Sequence, residues 1–201
     1  MVATVLILAG GKSSRMGVDK RFLEVEGRPL VLKSYQTARA TGFPVRMLLS
    51  QLDEKEHFAE ILGPEAEFCI DEHPGDGPLA ALAGALMGLE TEYGLLLAVD
   101  YPFLSSRFLT KLATAVDESP KAVLPLSEGI PQYTCGLYHR SLASSARQAV
   151  ESGARSLKRW VAALGDSVVV LPPQTWQKWA GPRELVNWNR PADLARPSTA
   201  Q

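Results

Sequence analysis

With 201 residues, the chain is long enough to bury one core unaided and short for two domains. Its 21 Lys+Arg balance 22 Asp+Glu for a formal charge of −1, which excludes the broad basic footprint of a nucleic-acid binder or of a protein held on an anionic membrane. Two cysteines, Cys69 and Cys135, and three scattered histidines, His57, His73 and His139, offer neither zinc spacing nor a disulfide framework, so a reducing, cytoplasmic setting is expected. No apolar run approaches the roughly 18 residues of a membrane span. The apolar N-terminus lacks a basic flank and runs straight into a glycine-rich loop, so it reads as a strand and not as a signal peptide.

In chain order, a strand over 3–8 leads into Leu8-Ala9-Gly10-Gly11-Lys12-Ser13-Ser14-Arg15-Met16-Gly17-Val18-Asp19-Lys20. Glycines without a Cβ let main-chain N–H groups turn toward anionic oxygens, and Arg15 and Lys20 can neutralise charge that builds on phosphates. The loop therefore reads as a triphosphate site. It is not a Walker A loop, since Val18-Asp19 follow Gly17 where Lys-Ser or Lys-Thr is required. It is not a dinucleotide fingerprint either, since Gly10 and Gly11 are adjacent and the next glycine is Gly17.

Helix 29–41 has a start signal in Pro29 and a stop signal in Gly42, and strand 45–49 and helix 54–62 follow. Strand 67–70 leads to Asp71 and the turn Gly75-Asp76-Gly77-Pro78, where a helix over 78–90 begins. The N–H groups at that helix start, around Gly77, Pro78 and Leu79, can meet an anion or a base edge. Strand 94–99 is continuously apolar, as in a strand covered on both faces, and delivers Asp100 at its carboxyl end. Ligands bind at that edge of an α/β sheet, and a carboxylate there suits magnesium bridging phosphates, or else caps the helix starting at Ser105 or Ser106 and running to 118. Strands at 122–125, 133–138 and 167–171 complete the alternation. Short apolar runs alternating with helical patterns predict a layered α/β domain with parallel strands. Residues 172–182 lack a clear period and read as a mobile surface loop. Alternation in Asn187-Trp188-Asn189 puts the two amides on one face of an extended segment, or else the asparagines form a turn before a last helix. Residues 1–196 form the expected domain, and 197–201 read as a disordered tail.

The loop pattern L-A-G-G-x-S-x-R-M-G-x-D-K resembles the signature of the nucleotidyltransferases that activate sugars and cofactors, most closely the molybdenum cofactor guanylyltransferases. The resemblance extends to Val99-Asp100-Tyr101-Pro102-Phe103, to the segment from Asp71 to Gly77-Pro78-Leu79-Ala80, and to Asn187-Trp188-Asn189-Arg190-Pro191-Ala192-Asp193-Leu194. It implies a single-domain, Rossmann-like three-layer α/β/α nucleotidyltransferase with a mostly parallel sheet. It further implies GTP and molybdopterin as substrates, magnesium as cofactor, and transient contact with proteins that deliver molybdopterin or assemble molybdoenzymes. The implied nucleotide site comprises Leu8, Ala9, Gly10, Gly11, Lys20, Ser50, Asp71, Gly77, Pro78, Leu79 and Asp100, with Arg15, Lys20 and Asp100 catalytic and Asp100 on the metal. Arg155, in a segment resembling G-x-R-S/R, and Asn187 and Asn189 fall on the pterin side. Trp160, Trp176, Trp179 and Trp188 all lie in that last part of the chain and either fill the core or stack on a flat ring. Two positions depart from the pattern: Ala81 stands where glycine is usual, and Ser50-Gln51 where asparagine is usual. The adjacent glycines resemble the guanylyl branch; a cytidylyltransferase and a catalytically silent nucleotide-binding adaptor remain as alternatives.

Overall fold

The computed structural model describes residues 3–10, 19–71, 77–115 and 120–188. Gly11, Arg15, Asn189 and the tail 197–201, which the sequence singles out, lie outside them. The first strand, β1 (Ala3–Leu8), lies at the centre of the sheet. β2 (Glu24–Val25) and β3 (Arg28–Pro29) form a small hairpin before α1 (Leu30–Arg39). Then come β4 (Val45–Ser50), α2 (Lys55–Leu62), β5 (Glu67–Asp71), α3 (Pro78–Met87), β6 (Tyr93–Ala98) and α4 (Ser106–Thr114). The chain continues through β7 (Ala122–Ser127), β8 (Ile130–Pro131), β9 (Cys135–His139), α5 (Ala143–Glu151), α6 (Leu157–Ala162), β10 (Val168–Leu171) and α7 (Pro173–Trp176).

The main sheet runs β10-β7-β9-β6-β1-β4-β5, with β8 paired to β7. β1, β4, β5 and β6 are parallel, and β9 runs against both β6 and β7. From β1 the chain moves outward to β4 and β5 and then crosses back to β6 on the other side of β1. That reversal puts a topological switch point, the usual ligand crevice of such sheets, at the carboxyl ends of β1 and β6. Alternation along β1 sends Val5 and Ile7 into one core with α1, α2 and α4, and Leu6 into a second core with α3, α5 and α6. Three layers result, as the resemblance implied.

Most expected strands begin or end within two residues of their observed bounds, and the deviations have local causes. Pro29 is the residue before α1 and not its first turn, because its ψ of 140° keeps it extended and paired with Glu24. The 133–138 strand starts only at Cys135, whose N–H closes a turn on the Gln132 carbonyl at 3.1 Å. α3 stops at Met87, before Gly88, and α4 stops at Thr114. The two hairpins turn on Glu26-Gly27 and Glu128-Gly129, all four residues with φ between 50° and 76°. Positive φ at both central positions is what a two-residue hairpin with right-twisted strands requires.

The reading of 172–182 as a mobile surface loop is overturned. α7 starts at Pro173, and Trp176, 1% exposed, sits edge-on to Phe108 with its indole N–H donated to the Leu126 carbonyl at 2.8 Å. A hydrogen-bonded indole in a core holds this segment down.

Candidate functional site

The tip of β1 is where the chain first meets the crevice. Ala9 N–H donates to the Leu48 carbonyl at 3.0 Å, extending β1 along β4 by one more bond. At Gly10 the two chains approach so closely that a Cβ would stand 2.8 Å from the Ser50 nitrogen. Only glycine fits there without moving main chain. Gly77 is a second such position, with φ of +80° and the Arg155 carbonyl 3.1 Å from where a Cβ would lie; it precedes Pro78 at the first turn of α3.

A cavity of about 510 Å³ opens between these tips. Leu8, Ala9, Gly10, Lys20, Ser50, Asp71, Gly77, Pro78 and Asp100 all line it, so nine residues from six separate stretches of sequence are brought together. Leu79 is not among them: its side chain is fully buried between α3 and the sheet. Arg155 lies beside the rim, its carbonyl 3.1 Å from where a Cβ on Gly77 would stand. Asn187 hydrogen-bonds toward the Tyr101 hydroxyl, beside the strand tip that carries Asp100. Ser50 uses its hydroxyl oxygen locally, accepting the Leu52 N–H at 3.1 Å. A second hollow of about 430 Å³ adjoins this one across Leu48, Asp71 and Ala81, and is walled by α3 and α5.

Charge is distributed unevenly around the cavity. Lys20 begins a single 3-10 turn, and its Nζ donates to the Trp188 carbonyl at 3.1 Å. Trp188 N–H in turn donates to the Asp100 main-chain carbonyl at 2.9 Å, so one residue of the C-terminal segment ties the Lys20 ammonium to the main chain at Asp100. An ammonium has three donors, so this bond leaves Lys20 others to direct at an anion. Asp100 Oδ1 is enclosed with no hydrogen-bond partner among the described residues. Burial pushes its carboxyl above the ordinary range, and the Lys20 charge pulls the other way. A carboxylate lining a cavity and left incompletely paired by its own protein is the donor a hard divalent cation takes.

Sequence reasoning missed Arg21. It lines the cavity beside Lys20, largely buried, with its guanidinium gripping Asp19, Asp53 and the Ala9 carbonyl. The available signal was an arginine wedged between Lys20 and the apolar Phe22-Leu23. For three of the four tryptophans the core-filling alternative holds. Trp160, Trp176 and Trp188 are buried, with Trp160 stacked on Tyr138 and Trp188 packed against Val25 and Leu30, so none of the three offers an open stacking face.

A glycine tip and a lysine on one wall, with an incompletely paired aspartate at the next strand tip, fit a nucleotidyltransferase of the layered α/β class. The chain belongs to the MobA-like NTP transferase family, whose domain model matches residues 5–168. It is 32% identical over 195 residues to "Probable molybdenum cofactor guanylyltransferase" of Trichormus variabilis, covering 96% of this chain and 88% of that protein. The same name is carried by a Synechococcus elongatus relative, 30% identical with 94% of each chain covered. Among solved structures, molybdopterin-guanine dinucleotide biosynthesis protein A from Archaeoglobus fulgidus superposes with a TM-score of 0.79 at 26% identity, over 96% of this chain and 95% of that one. 2-C-methyl-D-erythritol 4-phosphate cytidylyltransferase from Thermus thermophilus, 23% identical with a TM-score of 0.68 over 97% and 96%, shares the fold.

Proposed function

We propose that this chain transfers GMP from GTP to molybdopterin, forming the guanine dinucleotide form of the cofactor and releasing pyrophosphate. The observation that carries the reading is that Lys20 and Asp100, far apart in sequence, line one cavity with the glycine tip of β1. The relatives' shared name supplies the base and the acceptor.

In this reading the base lies toward Gly10, Ser50 and Asp71, and the triphosphate runs along the loop to Lys20. The terminal phosphate of molybdopterin attacks the α-phosphorus; a P–O bond forms there, the bond to the bridging oxygen breaks, and pyrophosphate leaves. Lys20, with Arg15 from the same loop, neutralises charge on the leaving group. A phosphate nucleophile is already anionic at neutral pH, so the chain needs no histidine or cysteine base. Positioning and charge neutralisation then carry the rate. Asp100 is the residue that would hold magnesium, which when bound would spread the phosphate charge. Arg155, Asn187 and Asn189 would face the pterin. The free thiols Cys69 and Cys135 suit a reducing cytoplasm, where proteins that deliver or receive the cofactor would dock transiently.

Pyrophosphate release tests this directly. With molybdopterin and magnesium, GTP should yield one pyrophosphate per dinucleotide formed, and CTP should react poorly. Faster turnover with CTP would make the chain a cytidylyltransferase, and saturable GTP binding without pyrophosphate would make it a binding module.

A further inference from the structure

We infer that Arg21 is a positioning residue of the nucleotide site, locking the main chain at the tips of β1 and β4 into one frame so that the wall facing the base is built before the nucleotide arrives. The inference rests on the nucleotide site proposed above and adds a residue that lines the cavity but whose donors are spent on the protein.

A guanidinium has five N–H donors in a rigid fork. Nε of Arg21 donates to both oxygens of Asp19 at 2.8 and 3.0 Å, and Nη2 also donates to Asp19. Nη1 donates both to the Ala9 carbonyl, just past β1, and to Asp53, just past β4. Four of the five donors are thereby committed to protein, and two carboxylates offset the charge, so little of Arg21 remains to grip a phosphate. Lys20, next in the chain, has its ammonium at the cavity.

Arg21 lines the cavity itself, and through Asp53 the clamp also holds Ser50 on the same wall. The Asp53 side chain is 1% exposed, and its second oxygen accepts the Ser50 N–H at 2.8 Å. Ser50 nitrogen is the atom on which Gly10 closes, at the distance that forbids a Cβ. Arg21 therefore holds Ala9 directly and Ser50 at one remove, and those two main-chain positions flank Gly10. Phe58 and Phe22 fix the guanidinium from the side, with ring centroids 5.1 and 5.6 Å away. Lysine keeps the charge but cannot satisfy three partners lying in different directions.

The split between binding and turnover separates positioning from bulk structure. Arg21→Lys should weaken Mg-GTP binding about tenfold by calorimetry and narrow the preference for GTP over CTP, with KM rising more than kcat falls, because Lys20 and Asp100 are held separately through Trp188. A merely structural arginine would lower the melting temperature and the active fraction while leaving the dissociation constants of the folded fraction, and their ratio, unchanged. Asp53→Asn should shift binding in the same direction by a smaller factor, and the double variant should bind no worse than Arg21→Lys alone. If Arg21→Lys does not fold, Asp53→Asn carries the binding test. Unchanged GTP and CTP dissociation constants in both variants would overturn the inference, as would a loss confined to kcat. A parent protein that binds neither nucleotide would remove the proposed function and this inference together; a parent that prefers GTP, with variants that do so equally, would remove the inference alone.

Discussion

The two sides of the sheet use polar groups in opposite ways. Beyond β6 on the β9-β7-β10 side, polar atoms are spent inside the fold: the Trp176 indole on the Leu126 carbonyl, the Tyr138 hydroxyl on the Tyr133 carbonyl at 2.6 Å, and Glu184 on both the N–H and the hydroxyl of Ser105 at 2.6 and 2.8 Å. At the tips of β1, β4, β5 and β6 they converge on a cavity, and Asp100 keeps an oxygen with no partner among the described residues. A buried polar group satisfied by its own protein stabilises the fold, whereas one left facing a cavity costs stability until a ligand arrives. Substitutions on the first side should therefore be felt in melting, and substitutions at the strand tips in turnover.

The largest expected effect is on the packed side. Trp176→Ala removes a buried indole against Phe108 and should cost about 3–5 kcal/mol of stability, read as a shift in denaturant midpoint, with GTP affinity of the folded molecules kept. A loss of GTP affinity at unchanged midpoint would put this tryptophan on the ligand side after all. Next comes Lys20→Ala. By comparison with removing one donor from a preorganised anion site, kcat should fall about a hundred- to a thousandfold, while stability changes by about 1 kcal/mol for the lost bond to Trp188. Turnover of GTP at the parent rate would end the phosphate role of Lys20. Glu184→Ala is smaller again: it strands the Ser105 N–H at the start of α4 and should cost about 1–3 kcal/mol without changing KM for GTP.

The contrast also explains what could be read from sequence. Leu8 to Gly10, Lys20 and Asp100 were legible as residues of one cavity because each lies in a short contiguous motif at or just past a strand end. Strands were legible because their apolar runs are bounded by turn residues. Arg21 was not, since its role depends on Asp53, which sequence does not place beside it until β1 and β4 pair. Trp176 escaped because a four-residue helix has no period to detect, and its burial is decided by Phe108 on α4. The hairpins escaped because Glu26-Gly27 and Glu128-Gly129 lack the Asn-Gly or Asp-Gly signal, leaving glycine to carry the turn beside a glutamate at positive φ.

The smallest effect gives the comparison a sign. Burial alone raises the Asp19 carboxyl, but the hydrogen bonds and charge of Arg21 outweigh it, and the group ends below its ordinary value. Folding that lowers a carboxyl stabilises the protein above the unfolded value, about 3.9, and the gain is lost as pH falls through the folded value. With the Asp19 side chain 30% exposed, solvent screening keeps the contribution at about 1 kcal/mol or less. Glu184 is shifted the other way: burial raises it more than the Ser105 hydrogen bonds lower it. Protons therefore favour the folded form, and stability rises as pH falls through the raised folded value, the gain being complete below the unfolded value of about 4.3. Melting temperatures from pH 8 to pH 3 should show the parent losing ground to Asp19→Asn on the acid side and gaining ground on Glu184→Gln over the same range. Parallel curves for the two variants would mean that the carboxylates of the clamp and of the packed side sit in equivalent environments, and the division between the two sides of the sheet would not hold.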